Sequence, residues 1–217
     1  MHPKQEVVCV TWLDYKTKKM ETRKVYKCVI DDENRLGVQA IGLVEEPAIE
    51  ENWVYLNAVK LSAVNNEKRM LYGAALVPDK QILRIDKDTM EEYYIVFDKA
   101  TIYKCAHLYL KKNLQHAATI EHEFAVTGVT MVESWIIEDS EKDKSSAMGM
   151  SLPQGTWMIG MFVEDDSIWN GVKEEKIKGF SIEGLFNNVA VSLSKNFEED
   201  AFFRDLDLLL ADIKKGS

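Results

Sequence analysis

Short apolar, strand-like runs separated by polar turns dominate the pattern along this chain and predict strands more often than helices. Segments 7–12, 22–30 and 38–44 read as three β elements, with Asp31-Asp32-Glu33-Asn34 as the polar turn before the third. Segment 71–77 runs into Pro78-Asp79, a turn signal, after which 81–85 and 93–97 resume the strand pattern. Beyond Asp98, a residue type that caps helices, the period changes. Ile102, Cys105, Ala106, Leu108 and Tyr109, with lysines between them, predict a helix over 99–115. Strand character returns at 120–124, 129–137, 157–163 and 180–193, interrupted by a short helix at 167–175. Asn196 caps a last predicted helix, 197–214, whose apolar face of Phe202, Leu206, Leu209, Leu210 and Ile213 is expected to pack on the body or on a second subunit.

Strands first, with helices set between them, give an α+β class rather than the strand-helix alternation of a doubly wound sheet. A chain of 217 residues supports one sizeable core. The expected organisation is a single strand-rich domain over 1–195, with the helix 99–115 inserted and the polar stretch 138–151 as a mobile loop, followed by the C-terminal helix 196–217.

Composition removes several function classes. The net charge of −9 argues against a general nucleic-acid binder, which needs a basic face to neutralise phosphates. No window reaches the ~18 apolar residues of a membrane span, and the first residues lack a signal-peptide core, so neither membrane insertion nor export is expected. Cys9, Cys28 and Cys105 have neither metal-ligand nor redox spacing and read as reduced thiols. With no glycine-rich phosphate loop either, no cofactor is expected.

The most informative stretch is Gly179-Phe180-Ser181-Ile182-Glu183-Gly184. Alternation puts Gly179, Ser181 and Glu183 on one face of a strand and Phe180, Ile182 and, roughly, Leu185 on the other. The serine hydroxyl then faces away from the bulky side chains, and the flanking glycines let another backbone approach it. A serine nucleophile needs a neighbouring base. Of the four histidines, His2 is terminal, and His107 and His116 lie in or just after the lysine-rich helix. His122, in Thr119-Ile120-Glu121-His122-Glu123-Phe124, is the one expected on a sheet. His122-Glu123 does not continue as a zinc-protease helix, because Val126 stands where the second histidine would be.

Four ordered pieces of this chain resemble the capsid-maturation (prohead) proteases of tailed bacteriophages, in particular the XkdF-type phage serine proteases. They are Gly42-Leu43-Val44-Glu45-Glu46-Pro47-Ala48, then His122, then Val132-Glu133-Ser134-Trp135, then Gly155-Thr156-Trp157 leading through Asp166 and Trp169 to the Ser181 segment. The resemblance implies a herpesvirus-assemblin type of fold: a mostly antiparallel β-barrel with peripheral helices. It implies Ser181 as nucleophile and His122 as general base. The substrates it implies are scaffold, the N-terminal segment of the major capsid protein and the protease itself, cut inside an assembling procapsid in the host cytoplasm, with a homodimer as an expected form.

The third catalytic member stays open between two carboxylates. Glu133 is the first choice, because a carboxylate in the apolar strand 129–137 is costly without a partner. Glu183, two residues from Ser181 on the same face, is the competitor, while Glu121 and Glu123 should point away from the site. Two other readings also stay open. One is an inactive capsid-internal protein that keeps the fold but misaligns Ser181 and His122. The other is an unrelated hydrolase, although the α/β-hydrolase elbow is not matched, since Glu183 stands where its second glycine belongs.

Overall fold

The structure is a computed structural model that describes residues 8–14, 19–47, 69–86 and 88–191, with side chains from Lys24 onward. In chain order its elements are β1 (Val8–Asp14), β2 (Lys19–Val29), β3 (Gly37–Val44), β4 (Met70–Leu76), β5 (Ile82–Ile85), β6 (Glu92–Val96), α1 (Lys99–Lys111), β7 (Ala118–Ile120), β8 (Phe124–Val126), β9 (Val129–Ile136), α2 (Lys144–Ala147), β10 (Trp157–Val163), α3 (Asp166–Lys173), β11 (Gly179–Leu185) and β12 (Asn187–Ala190). The α+β, strand-rich reading therefore holds, with few helices among the described residues. The predicted helix 197–214 lies outside them.

The strands form three sheets: β1-β2-β6-β5 with β12 also on β2, β4-β10-β9, and β11-β3-β7-β8. Pairing is antiparallel except for β2 with β6 and β3 with β7. The expected barrel is not formed, because no ladder among the described strands closes one sheet onto the next. Where β11 comes beside β4, side chains make the contact. The Phe180 ring lies 3.0 Å from where a Cβ on Gly73 would stand, and packing of this kind replaces the hydrogen bonds that closure would need.

The core explains why the apolar runs sit where they do. β10 is buried almost throughout, with Trp157, Met158, Ile159, Met161 and Val163 fully covered, as expected of a central strand with layers on both faces. Tyr109 of α1 meets Trp157 edge-on, with centroids 5.8 Å apart. Trp169 of α3 is buried in the same cluster. The stretch predicted as a loop at 138–151 carries α2 and covers a smaller cluster of Val77, Ile137, Met150, Leu152 and Met158. Cys28 and Cys105 are buried free thiols, both pushed up to about 12 by burial, so neither is a thiolate at neutral pH.

Helix α1 starts where its sequence dictates and stops early. The Asp98 carboxylate accepts the Thr101 N–H at 2.8 Å, and the chain leaves the helix through Asn113 at φ +57, four residues short of the predicted end. Burial raises the Asp98 carboxyl, but the Lys27 ammonium and the Thr101 bonds outweigh it and hold the group below its usual value. Asp98→Ala is expected to cost about 1 kcal/mol at neutral pH in urea unfolding. A carboxylate with a depressed folded pKa stabilises above its unfolded value and loses that contribution as pH falls through the folded one. The gap between wild type and variant should therefore close below the ordinary carboxylate range.

Candidate active site

Ser181 lies on β11, paired directly with Gly42 of β3. On the other side of β3, Gly42 is in register with Thr119 of β7, and Thr119 with Ala125 of β8. Paired residues share a face, so one row of small residues, Ser181-Gly42-Thr119-Ala125, crosses the sheet. The opposite face carries Phe180, Leu43 and Ile41, all buried in the core. The alternation expected around Ser181 is therefore present, and it ends at a register shift between Glu183 and Gly184. Leu185, which continues the two-residue repeat of Ser181 and Glu183, is 57% exposed and does not join Phe180 on the core face.

His122 reaches this face from a turn, not from a strand as its sequence suggested. Segment 120–124 breaks into β7, a tight turn and β8. The Glu123 N–H donates to the Ile120 carbonyl at 3.0 Å, and both central residues, Glu121 and His122, have positive φ, +50 and +59. Positive φ at both central positions is the type I′ hairpin pattern, normally filled by Asn-Gly. Here Glu-His occupies it, a local strain of the kind that gathers at functional sites. Two contacts to the end of β3 hold the turn: the Glu121 N–H on the Leu43 carbonyl at 3.1 Å, and the Glu121 carboxylate accepting the Glu45 N–H at 2.6 Å.

The turn lays the imidazole over Gly42. A Cβ built on Gly42 would stand 2.7 Å from His122 Cε1 and 2.9 Å from Nδ1, so the ring fills the space that any side chain there would need. Directly opposed strand residues have Cβ atoms about 4.5–5.5 Å apart. The ring is thus about one cross-strand step from the Ser181 side chain. Ser181 is 5% exposed. Among the described residues no hydrogen bond joins its hydroxyl to the ring.

The carboxylate that meets the imidazole is Glu183. Its Oε1 lies 3.0 Å from His122 Nδ1, and the same oxygen accepts the Thr119 hydroxyl. Burial pushes the Glu183 carboxyl up, but the Thr119 and His122 hydrogen bonds and the nearby imidazole outweigh it and hold the group below its usual value. An ionised acceptor at Nδ1 keeps the proton on that nitrogen and leaves Nε2 as the ring's lone pair.

Glu133, the first choice from sequence, is not brought to His122. It sits on β9 in another sheet, where Oε1 accepts the Tyr72 hydroxyl at 2.7 Å and Oε2 pairs with Lys144. Lys144 foremost, then Tyr72, hold the Glu133 carboxyl below its usual value, while burial and the Glu133 bond push the Tyr72 phenol up to about 12. The Lys144 ammonium also lies 4.5 Å from the Tyr72 ring centre and 5.1 Å from that of Trp135. The Glu133 carboxylate is thus satisfied within this cluster, which ties α2 to β9. The other motif residues and histidines also have partners away from Ser181. Ser134 Oγ accepts the Trp157 indole N–H at 2.9 Å, and the Trp135 indole donates to Asp143 at 3.2 Å. His116 Nδ1 faces the Thr130 hydroxyl at 3.0 Å and His107 stacks at a tilt on Tyr103. His2 lies outside the described residues.

Sequence reasoning missed two members of the constellation, the open space at Gly42 and the hydroxyl of Thr119. Their signal is the register β11-β3-β7, which local patterning does not contain. Among the described residues, no three His, Cys, Asp or Glu side chains are grouped to hold a metal ion, and no helix is long and apolar enough to cross a membrane.

A family model described as "Putative phage serine protease XkdF" matches residues 58–190, more than half of the chain. The matched stretch contains Thr119, His122, Glu133, Ser181 and Glu183. No curated protein and no solved structure matches the chain.

Proposed function

The chain belongs to the XkdF family of phage serine proteases, and from that premise we propose that it is a procapsid maturation protease in which Ser181 is the nucleophile, His122 the general base and Glu183 the carboxylate that orients the imidazole. The observation that carries this reading is the His122 ring laid over Gly42, directly across from Ser181, with Nδ1 on Glu183. Two independent facts support it. The serine is nearly buried on a face of small residues, and a strained turn holds the histidine there.

In the proposed reaction an extended peptide enters over the Ser181-Gly42 row. Ser181 Oγ attacks the scissile carbonyl carbon while His122 Nε2 takes the hydroxyl proton, and the C–N bond then breaks as that proton passes to the leaving amine. Water repeats the sequence on the acyl-enzyme and frees Ser181. Throughout, Glu183 accepts the Nδ1 proton's hydrogen bond and stabilises the imidazolium. The proposed substrates are scaffold, the N-terminal segment of the major capsid protein and the protease itself, cut inside the assembling particle in the host cytoplasm; a homodimer is the proposed working form.

Co-expression of the chain with its neighbouring capsid and scaffold proteins, followed by mass spectrometry of all fragments, tests this reading. Defined cleavages are expected, and they are expected to vanish with Ser181→Ala. Particles that assemble with every partner intact, with or without Ser181, would instead identify a capsid-internal protein that has kept the fold without the activity.

A further inference from the structure

We propose that Thr119 is a positioning residue of this site, acting on the imidazole through Glu183; the proposal rests on Ser181, His122 and Glu183 being the catalytic set. The sheet itself places it. β7 runs parallel to β3 with Thr119 in register with Gly42, so Thr119 stands across β3 from Ser181 and Glu183. Two interstrand steps, about 9–10 Å, separate β11 from β7. Glutamate is long enough to cover most of that span only if nothing rises from the strand between. Gly42 offers no side chain, and the next residue on the same face of β3 toward Glu183 is Ala40, its register partner.

Glu183 therefore leans over β3 and ends on Thr119 Oγ1, with His122 Nδ1 on the same oxygen. A carboxylate held by the ring alone can rotate about its own side-chain torsions and swing off Nδ1 into solvent, since the Glu183 side chain is 31% exposed. A second donor on Oε1, fixed to a strand of the sheet, removes that freedom. The threonine hydroxyl thus aims the carboxylate, and the carboxylate aims the ring. Serine keeps the donor. Valine keeps the shape and the strand preference but not the donor, so it tests the hydrogen bond without opening a cavity.

A fluorophosphonate probe reads the consequence without any knowledge of the natural substrate: an Oγ–P bond forms as P–F breaks, fluoride leaves and the serine proton passes to His122. The measurement is the labelling rate of purified full-length protein in a double-mutant cycle. Thr119→Val is expected to slow labelling about tenfold in the wild-type background and by less than about twofold in Glu183→Gln, because its effect travels through Glu183. Thr119→Ser is expected to recover most of the lost rate. Equal slowing by Thr119→Val in both backgrounds, or no slowing in the wild type, overturns the proposal; matched thermal unfolding of the variants keeps a folding defect from imitating the first result. Labelling that persists in Ser181→Ala, or a wild type that the probe leaves unlabelled, overturns the catalytic reading itself and this proposal with it.

Discussion

Gly42→Ala is expected to lower activity about 100-fold or more while changing stability by no more than about 1 kcal/mol, because the gain from replacing a strand glycine offsets the lost His122–Glu183 hydrogen bond. The added methyl would stand 2.7 Å from His122 Cε1, a separation that non-bonded carbons do not adopt, so the imidazole must leave its place. It can leave without unfolding anything, because it is the free end of a side chain that is 38% exposed on a surface turn. Strand glycines are themselves destabilising by roughly 0.5–1 kcal/mol relative to alanine, and Gly42 is not among the residues with positive φ, so the backbone accepts the change. A base displaced by an ångström costs on the order of 100-fold in a reaction that depends on near-attack geometry. The check is a pair of measurements on one preparation, the cleavage or probe-labelling rate and the urea midpoint. Full activity in Gly42→Ala would show that the ring does not work from this position.

Glu183→Gln is expected to reduce turnover by about 10³–10⁴-fold, and Glu133→Gln to leave it within about threefold of wild type. The amide that replaces the Glu183 carboxylate can present its NH₂ to Nδ1, which favours the tautomer with its proton on Nε2 and removes the lone pair that must receive the serine proton. The Glu133 change acts elsewhere, on the link to Tyr72 and Lys144, and should appear in stability alone. The two variants separate the carboxylates cleanly when assayed side by side. Acid adds an independent sign. Because the folded protein holds the Glu183 carboxyl below its ordinary value, its stabilising contribution is complete above that ordinary value and is lost as pH falls through the depressed one. Wild type and Glu183→Gln should therefore differ in stability at neutral pH and converge in strong acid.

How much of this was legible in the sequence depends on how far apart the interacting residues lie. Most strands and the start of α1 at Asp98 are local and stand where periodicity and capping chemistry placed them, while the expected strand 180–193 divides into β11 and β12 on different sheets. Ser181 and Glu183 sharing a face is also local, being a two-residue repeat. The turn at Glu121-His122 escaped because the usual Asn-Gly signal is absent. The chain adopts positive φ there without the residues that make it easy, and contacts to the end of β3 hold it in place. Glu133 stands apart from the histidine for a physical reason. A carboxylate in an apolar strand does need a partner, but its partners come from Tyr72, 61 positions away, and Lys144, 11 away, and not from the histidine. The barrel depended on whether sheet edges close by hydrogen bonds, and at β11 and β4 an aromatic ring occupies the seam instead.

The order in which the chain is made has its own bearing on the cross-strand row. Glu183 lies 61 positions beyond His122 and 64 beyond Thr119, and Ser181 pairs with a β3 residue earlier still. Pairings of such long separation carry a loop-closure cost and form late in folding. A growing chain on the ribosome thus presents the imidazole-bearing hairpin well before it has a serine to activate. The proposed proteolytic machinery exists only once the last strand of its sheet has been synthesised and docked. On the proposed reading, any target made beside it is safe from the nascent chain until β11 has been made and docked.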